Sequence, residues 1–240
     1  MDIESVLIIG HRGASSLAPE NTLKAFRKSI ELKADFIEFD VQITRDGELV
    51  ITHDLDIERI TGEKKNVKDM TLEELKIRDF GEGEKIPTLR ELVKQTKGKI
   101  CLNCEIIVEG IANEVIEILR EYEVIKTTIV SSFKHNELLE FQKLEPKLKL
   151  ASLEPTNYLA EYEWKIRKEM IEFCITHNLY AINPFYPIVD QQFVDFAHNN
   201  NVKVFPWTVD SKPTIRKLIK YGVDGIITND ITKLKDILNR

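Results

Sequence analysis

Two histidines, an arginine and three acids fall inside or directly after short apolar runs. His11 and Arg12 follow SVLIIG, Glu38 and Asp40 lie within FIEFDV, His53 follows LVIT, and Glu105 lies within ICLNCEI. Glu38 and Asp40 are two residues apart, so in a strand both side chains point to one face. Two ionised carboxylates repel in a low-dielectric site, and a hard divalent cation resolves that repulsion. Oxygen donors on short, rigid strands suit Mg²⁺ or Ca²⁺, and Mn²⁺ is also compatible; Glu105 offers a third donor. The alternative for Glu38 and Asp40 is pairing with surface lysines, although the flanking Phe36, Ile37, Phe39 and Val41 leave little solvent. Histidine gives or takes a proton near neutral pH. The set therefore points to acid/base cleavage of a phosphate ester. Arg12 and the cation would neutralise phosphate oxygens, while one of His11 and His53 deprotonates an attacking hydroxyl and the other protonates the leaving alkoxide.

Such a site needs elements that bring distant strand ends together. Apolar runs predict strands at Leu7–Gly10, Phe36–Val41, Ile100–Ile106, Thr128–Phe133, Leu148–Leu153, Ala181–Phe185, Lys203–Val209 and Gly225–Thr228. Amphipathic stretches predict helices at Thr22–Leu32, Thr88–Thr96, Ile111–Tyr122, Asn136–Leu144, Ala160–His177, Asp190–Asn199, Lys212–Tyr221 and Thr232–Leu238. Asn21-Thr22 and Ser211-Lys212-Pro213 supply start signals. Strands this apolar imply burial on both faces. Eight βα units predict an α/β fold, a TIM (β/α)8 barrel forming a single domain over residues 1–240, with a doubly wound sheet as the runner-up. Asp46-Gly47 between two alternating apolar runs signals a hairpin. Strand two therefore continues past the barrel rim and returns. A small insertion follows at about 54–87, with its own helix near Leu72–Ile77, and Pro87 and Thr88 open the next barrel helix. In such a barrel, side chains at the C-terminal ends of the strands line the active site.

The bulk composition narrows the function classes. A 42% hydrophobic fraction supports a sizeable core, and a net charge of -6 with both signs interspersed argues against nucleic-acid or anionic-membrane partners. The five-residue apolar run near the N-terminus is short for a signal peptide, and no stretch approaches a membrane span. The odd cysteine set Cys101, Cys104 and Cys174 has no disulfide-like framework, so a cytoplasmic protein with no stable membrane insertion is expected. His135, His177 and His198 fall at helix ends and read as solvated or capping groups. Trp164 reads as packing.

At this point the sequence resembles the glycerophosphodiester phosphodiesterase family. The resemblance runs through HRGASSLAPENTLKAF, ADFIEFDVQITRDGELVITHD, IPTLRELV, LNCEI, VSSF and VFPWTVD…LIKYGVDGIITND, and spans nearly the whole chain. It implies a TIM barrel that hydrolyses a small-molecule glycerophosphodiester to glycerol 3-phosphate and an alcohol. It also implies a divalent metal on Glu38, Asp40 and Glu105, an acid/base pair His11 and His53, and Arg12 as a phosphate ligand. Attack by the substrate's own glycerol hydroxyl, with a cyclic phosphate opened by water, is the implied route; it leaves open which histidine acts first. Pro19 to Thr22 match the family's PENT, where a helix start and a catalytic role are both compatible. Ser131, Phe133, Asn183, Phe185 and Trp207 end later strands. Phe133, Phe185 and Trp207 are candidates to pack against the glycerol or the alcohol, with a plain core role as the alternative. One departure stands out: the family's lysine after Asn-x-Glu-Ile is here Ile107. Of the charged residues near strand ends, Glu109, Lys134 and Glu154, only Lys134 has the sign to compensate. The substitution raises two alternatives, a lysophospholipase D-like activity on lipid substrates and a catalytically idle phosphodiester-binding barrel.

Overall fold

The computed structural model describes residues 6–156 and 163–240. Eight parallel strands form the wall of a barrel: β1 (Leu7–Gly10), β2 (Phe36–Ile43), β4 (Cys101–Ile106), β5 (Thr128–Ser132), β6 (Lys149–Glu154), β7 (Ala181–Pro184), β8 (Lys203–Val204) and β9 (Gly225–Thr228). Their order around the wall is β8-β7-β6-β5-β4-β2-β1-β9. The seam between β8 and β9 is bridged by backbone hydrogen bonds from Asp224 to Val204 (3.1 Å), from Ile227 to Pro206 (3.0 Å) and from Val209 to Ile227 (2.9 Å). The sequence predicts strand 203–209, yet the regular ladder stops at Val204. Pro206 has no N–H to donate, so the chain stays extended but its pairing becomes irregular.

Alternation sorts each strand's side chains between two cores. Ile9, Ile129, Ala151, Ala181, Phe205 and Ile227 pack together inside the barrel. Ile8, Ile37, Cys104, Val130, Leu150 and Ile182 face the helices, where the larger core lies. Cys101 and Cys104 therefore differ in face and burial, and all three cysteines are free thiols. The outer layer consists of α1 (Leu23–Glu31), α4 (Leu89–Thr96), α5 (Ala112–Glu121), α6 (His135–Leu144), α7 (Trp164–Thr176), α8 (Gln191–Asn199), α9 (Lys212–Tyr221) and α10 (Ile231–Leu238). Thr22, Thr88, Asp190, Ser211 and Asp230 cap their N-termini through side-chain oxygens, satisfying backbone donors that would otherwise be orphaned. Positions 160–162 of the expected fifth helix lie outside the described residues. Trp164 packs against the core as expected.

β2 outruns its neighbours and turns at Asp46-Gly47, where Gly47 has φ 85°. It pairs antiparallel with β3 (Leu49–Ile51). The segment that follows carries two short helices, α2 (Glu58–Thr61) and α3 (Leu72–Lys76), over a small separate core of Val50, Ile57, Val67, Met70, Leu75, Phe80 and Ile86.

Two histidines read as solvated or capping make specific contacts with the barrel wall instead. His135 stacks on Phe173 at 4.4 Å, and its Nε2 lies 3.3 Å from both the Leu153 carbonyl and Glu154 Oε1. His198 pairs with Asp224 at 2.7 Å. Each sits at a helix end, but the helix packs on the barrel wall and carries the ring to a buried acid. His177 occupies the C-cap of α7, as expected.

Candidate active site

The three acids converge. Glu38 and Asp40 point inward from β2; Asp40 faces Glu105 across the ladder, and Glu38 faces Asn103. One carboxylate oxygen from each of Glu38, Asp40 and Glu105 lies within 4.8 Å of the others. Burial, reinforced by the Asp40 charge, drives the Glu38 carboxyl well above its ordinary range. Burial and the charges of Asp40 and Glu38 do the same to Glu105. Glu38 Oε1 has no hydrogen-bond partner among the described residues. Three acids so close, with one oxygen unpaired, fit a hard divalent cation: the donors are all oxygen, and its charge would offset the repulsion.

Arg12 supplies positive charge on one side. The turn after β1 puts Arg12 at φ 54° and Gly13 at φ 86°. A Cβ on Gly13 would lie 2.7 Å from the Ala25 Cβ, so the turn can press against α1 only with glycine. This bend aims the Arg12 N–H at Glu38 Oε2 (2.8 Å) and its guanidinium at Glu20 (2.8 Å) and Asp40 (3.4 Å). Asn21 also donates to Asp40, at 2.7 Å. Of the PENT residues, Glu20 and Asn21 thus touch the site, while Thr22 caps the helix.

Each histidine is held through Nδ1. Asn229 donates its backbone N–H and its Nδ2 to Asp210 at 2.9 and 2.6 Å, which leaves Oδ1 as the acceptor for His11 Nδ1 at 2.8 Å and Ser15 Oγ at 2.9 Å. His11 Nδ1 therefore carries the proton and Nε2 the lone pair. Burial and the nearby Arg12 lower the His11 pKa, against the raising effect of Asn229 and the acids, so the ring is neutral near pH 7. His53 Nδ1 lies 2.8 Å from Asp54 Oδ1. Asp54 is gripped by Arg59 Nε at 2.5 Å, and the same guanidinium forks onto Glu20 at 2.7 and 3.1 Å. Burial pulls Asp54 upward, but its bonds to His53 and Arg59 outweigh that and keep it ionised. The arm that presents His53 is fixed by Gln42, whose Nε2 donates to the carbonyls of Thr52, His53 and Asp54 at 2.8 to 3.0 Å.

Between the histidines lies an inner cavity of about 130 Å³, lined among others by His11, Arg12, Glu38, His53, Glu105, Leu153, Asn183, Trp207 and Ile227. Trp207 is fixed by its Nε1 donating to the Asn183 carbonyl (2.8 Å) and by edge contact with Phe133 at 5.6 Å. Phe185, a candidate to touch substrate or to serve the core, packs beside Trp207 at 5.3 Å and is not among the residues lining this inner cavity. A second, more open cleft of about 800 Å³ starts at His53 and Glu105 and runs past Leu55, Ile107, Phe133 and Lys134. Ile107 makes part of its apolar wall. Lys134 shares that cleft but stays outside the inner cavity, 3.3 Å from Glu109.

The structure thus brings together His11, Arg12, Glu38, Asp40, His53, Glu105 and Trp207, and leaves Phe185 behind. Sequence reasoning passed over Arg59, Asp210 and Asn229, gave Asp54 no role, and reached Glu20 only through the PENT match. The only local signal for Asn229 was its place two residues beyond the inward-facing Ile227.

Comparison with known proteins accords with this geometry. The profile of the "Glycerophosphoryl diester phosphodiesterase family" matches residues 11–233. A glycerophosphodiester phosphodiesterase of Caldanaerobacter subterraneus is 39% identical, over 98% of this chain and 98% of its own. One of Bacillus altitudinis is 32% identical, over 92% and 94%. A glycerophosphodiester phosphodiesterase of Thermotoga maritima, solved crystallographically, superposes with a TM-score of 0.83 at 29% identity, covering 97% and 98% of the two chains.

Proposed function

The chain belongs to the glycerophosphoryl diester phosphodiesterase family and is a phosphoric diester hydrolase, and we propose that it converts glycerophosphodiesters to glycerol 3-phosphate and an alcohol by paired histidine catalysis beside a divalent cation. The observation that carries this reading is the convergence of Glu38, Asp40 and Glu105 beside a small cavity that both His11 and His53 line. A cation on those three acids, Mg²⁺, Ca²⁺ or Mn²⁺, would supply Lewis-acid charge for a phosphoryl oxygen.

The two cavities divide the substrate. Glycerol and its phosphate suit the inner one, whose volume is on the scale of a small polyol phosphate rather than a fatty-acyl chain. The alcohol lies in the outer cleft. His11 lines only the inner cavity and His53 lines both, so His11 is the base toward glycerol and His53 the acid toward the leaving group. His11 takes the proton of the glycerol 2-hydroxyl as its oxygen bonds to phosphorus. The bond from phosphorus to the alcohol oxygen breaks, and His53 protonates that oxygen. A cyclic glycerol phosphate remains. His53 then deprotonates water, water adds to phosphorus, and His11 returns its proton to the 2-oxygen as the ring opens. Arg12 bears on the phosphate charge, which a cation on the three acids would share, and holding the hydroxyl beside phosphorus supplies the proximity advantage.

The free thiols support a cytoplasmic location. Among the described residues no helix is long and apolar enough to cross a membrane. Phosphorus NMR of products from a mixed set of glycerophosphodiesters tests the reading. Glycerol 3-phosphate should form with Mg²⁺, Ca²⁺ or Mn²⁺ and cease in EDTA; full turnover in chelator removes the metal. In a single-turnover assay of leaving-group release, His53→Ala should cost orders of magnitude with choline as leaving group but far less with an acidic phenol. Equal losses on both reverse or abolish its assignment as the acid.

A further inference from the structure

Asn183 is fully buried on β7, level with Leu153 of β6, and is among the residues that line the inner cavity. Neither its Nδ2 nor its Oδ1 has a hydrogen-bond partner among the described residues. Asn103 Nδ2, on another wall of the cavity, is also unpartnered, but its Oδ1 is taken by Ser131 at 3.0 Å. A buried carboxamide with both ends free is costly and rare, and at a cavity wall it calls for a ligand that both donates and accepts. Leu153, Trp207 and Ile227 beside it offer only apolar surface or groups already spent, which suits carbon-bound hydrogens.

If the glycerophosphodiester reading above holds, glycerol enters this cavity with its 2-hydroxyl committed to phosphorus and its terminal hydroxyl still needing a partner. We propose that the Asn183 carboxamide binds that terminal hydroxyl and makes the site selective for glycerol over diols that lack it. Hydroxyl and carboxamide each carry a donor and an acceptor, so either rotamer of the amide makes the bond. A site built to bond a hydroxyl rejects the analogue without it far more strongly than an apolar pocket rejects a missing methylene, because its own polar group is left unpaired.

The test compares glycerophosphocholine with its analogue built on propane-1,2-diol, which keeps the attacking hydroxyl and lacks the terminal one. Wild type should favour the glycerol substrate by about a hundredfold or more in kcat/KM. Asn183→Leu, matched in side-chain branching, and Asn183→Ala should lose most of that preference while turning over the diol substrate within about threefold of wild type. Undiminished preference in both variants, or equal losses on both substrates, overturns the assignment. Calorimetry with glycerol 3-phosphate and propane-1,2-diol phosphate gives a second reading, in which only glycerol 3-phosphate should bind the variants more weakly. If wild type turned over neither diester with any of the three metals, the phosphodiesterase reading would fall. Calorimetry would still decide Asn183, since equal weakening of both ligands, or none, refutes it.

Discussion

Replacing Glu154 with glutamine should stabilise the protein, and more so as pH rises. Glu154 ends β6 at 3% exposure, turned away from the inner cavity that its neighbour Leu153 lines. Burial raises its pKa from 4.5 to about 7, and the Thr156 N–H, at 3.1 Å, only partly offsets this. His135 lies 3.3 Å away, but burial lowers its own pKa and so weakens any compensating charge it could give. An acid whose pKa is higher folded than unfolded favours the native state fully only below the unfolded value. That advantage is lost as pH climbs from 4.5 to about 7. At about 1.36 kcal/mol per unit the complete loss is about 3 kcal/mol, of which about 2 falls between pH ~5.5 and pH ~8.5. Glutamine mimics the protonated acid and carries no such dependence. With an unfolding entropy of about 0.5 kcal/mol per degree for a 240-residue chain, the Tm gain of Glu154→Gln should widen by about 4 °C across that interval. Parallel melting by circular dichroism, both proteins in matched buffers, measures it. Parallel Tm curves, or a gain that shrinks with pH, would show that Glu154 is already charged at neutral pH and refute the argument.

A divalent cation at a hundred times its dissociation constant should stabilise the fold by about 2.7 kcal/mol, raising Tm by about 5 °C. Glu105→Gln should remove most of that gain, and the same shift in the variant would move the ion elsewhere. Arg59→Met should lower kcat by about 10- to 100-fold with a smaller change in KM, because Arg59 joins Asp54 behind His53 to Glu20 behind Arg12. Arg59→Lys should recover part of the rate, and a pure KM effect would contradict the positioning role.

Much of the barrel was legible because its cues are local. Apolar runs of strand length alternate with helix-period stretches, and period two placed Glu38, Asp40 and Glu105 on one inward face. Asp46-Gly47 announced the hairpin for a similarly local reason. What escaped depends on contacts far apart in sequence. Arg59 lies on a four-residue helix with no periodicity to read, and its meaning comes from Glu20 on another loop. Phe185 obeys the same alternation as Asn183, yet it sits one step further along the strand, where it packs on Trp207 and is not part of the inner cavity lining. Pro206 breaks a ladder that composition alone would continue.

The carboxamide that fixes His11 comes from Asn229, 218 positions later in the chain. During synthesis the first strand emerges long before Asn229, and its imidazole waits for that residue before its tautomer is set. A nascent or truncated polypeptide ending before Asn229 carries both histidines and all three acids and should still be inert. Onset of catalysis in a refolding experiment would then mark the moment the two ends of the wall join, not the earlier collapse of the surrounding helices.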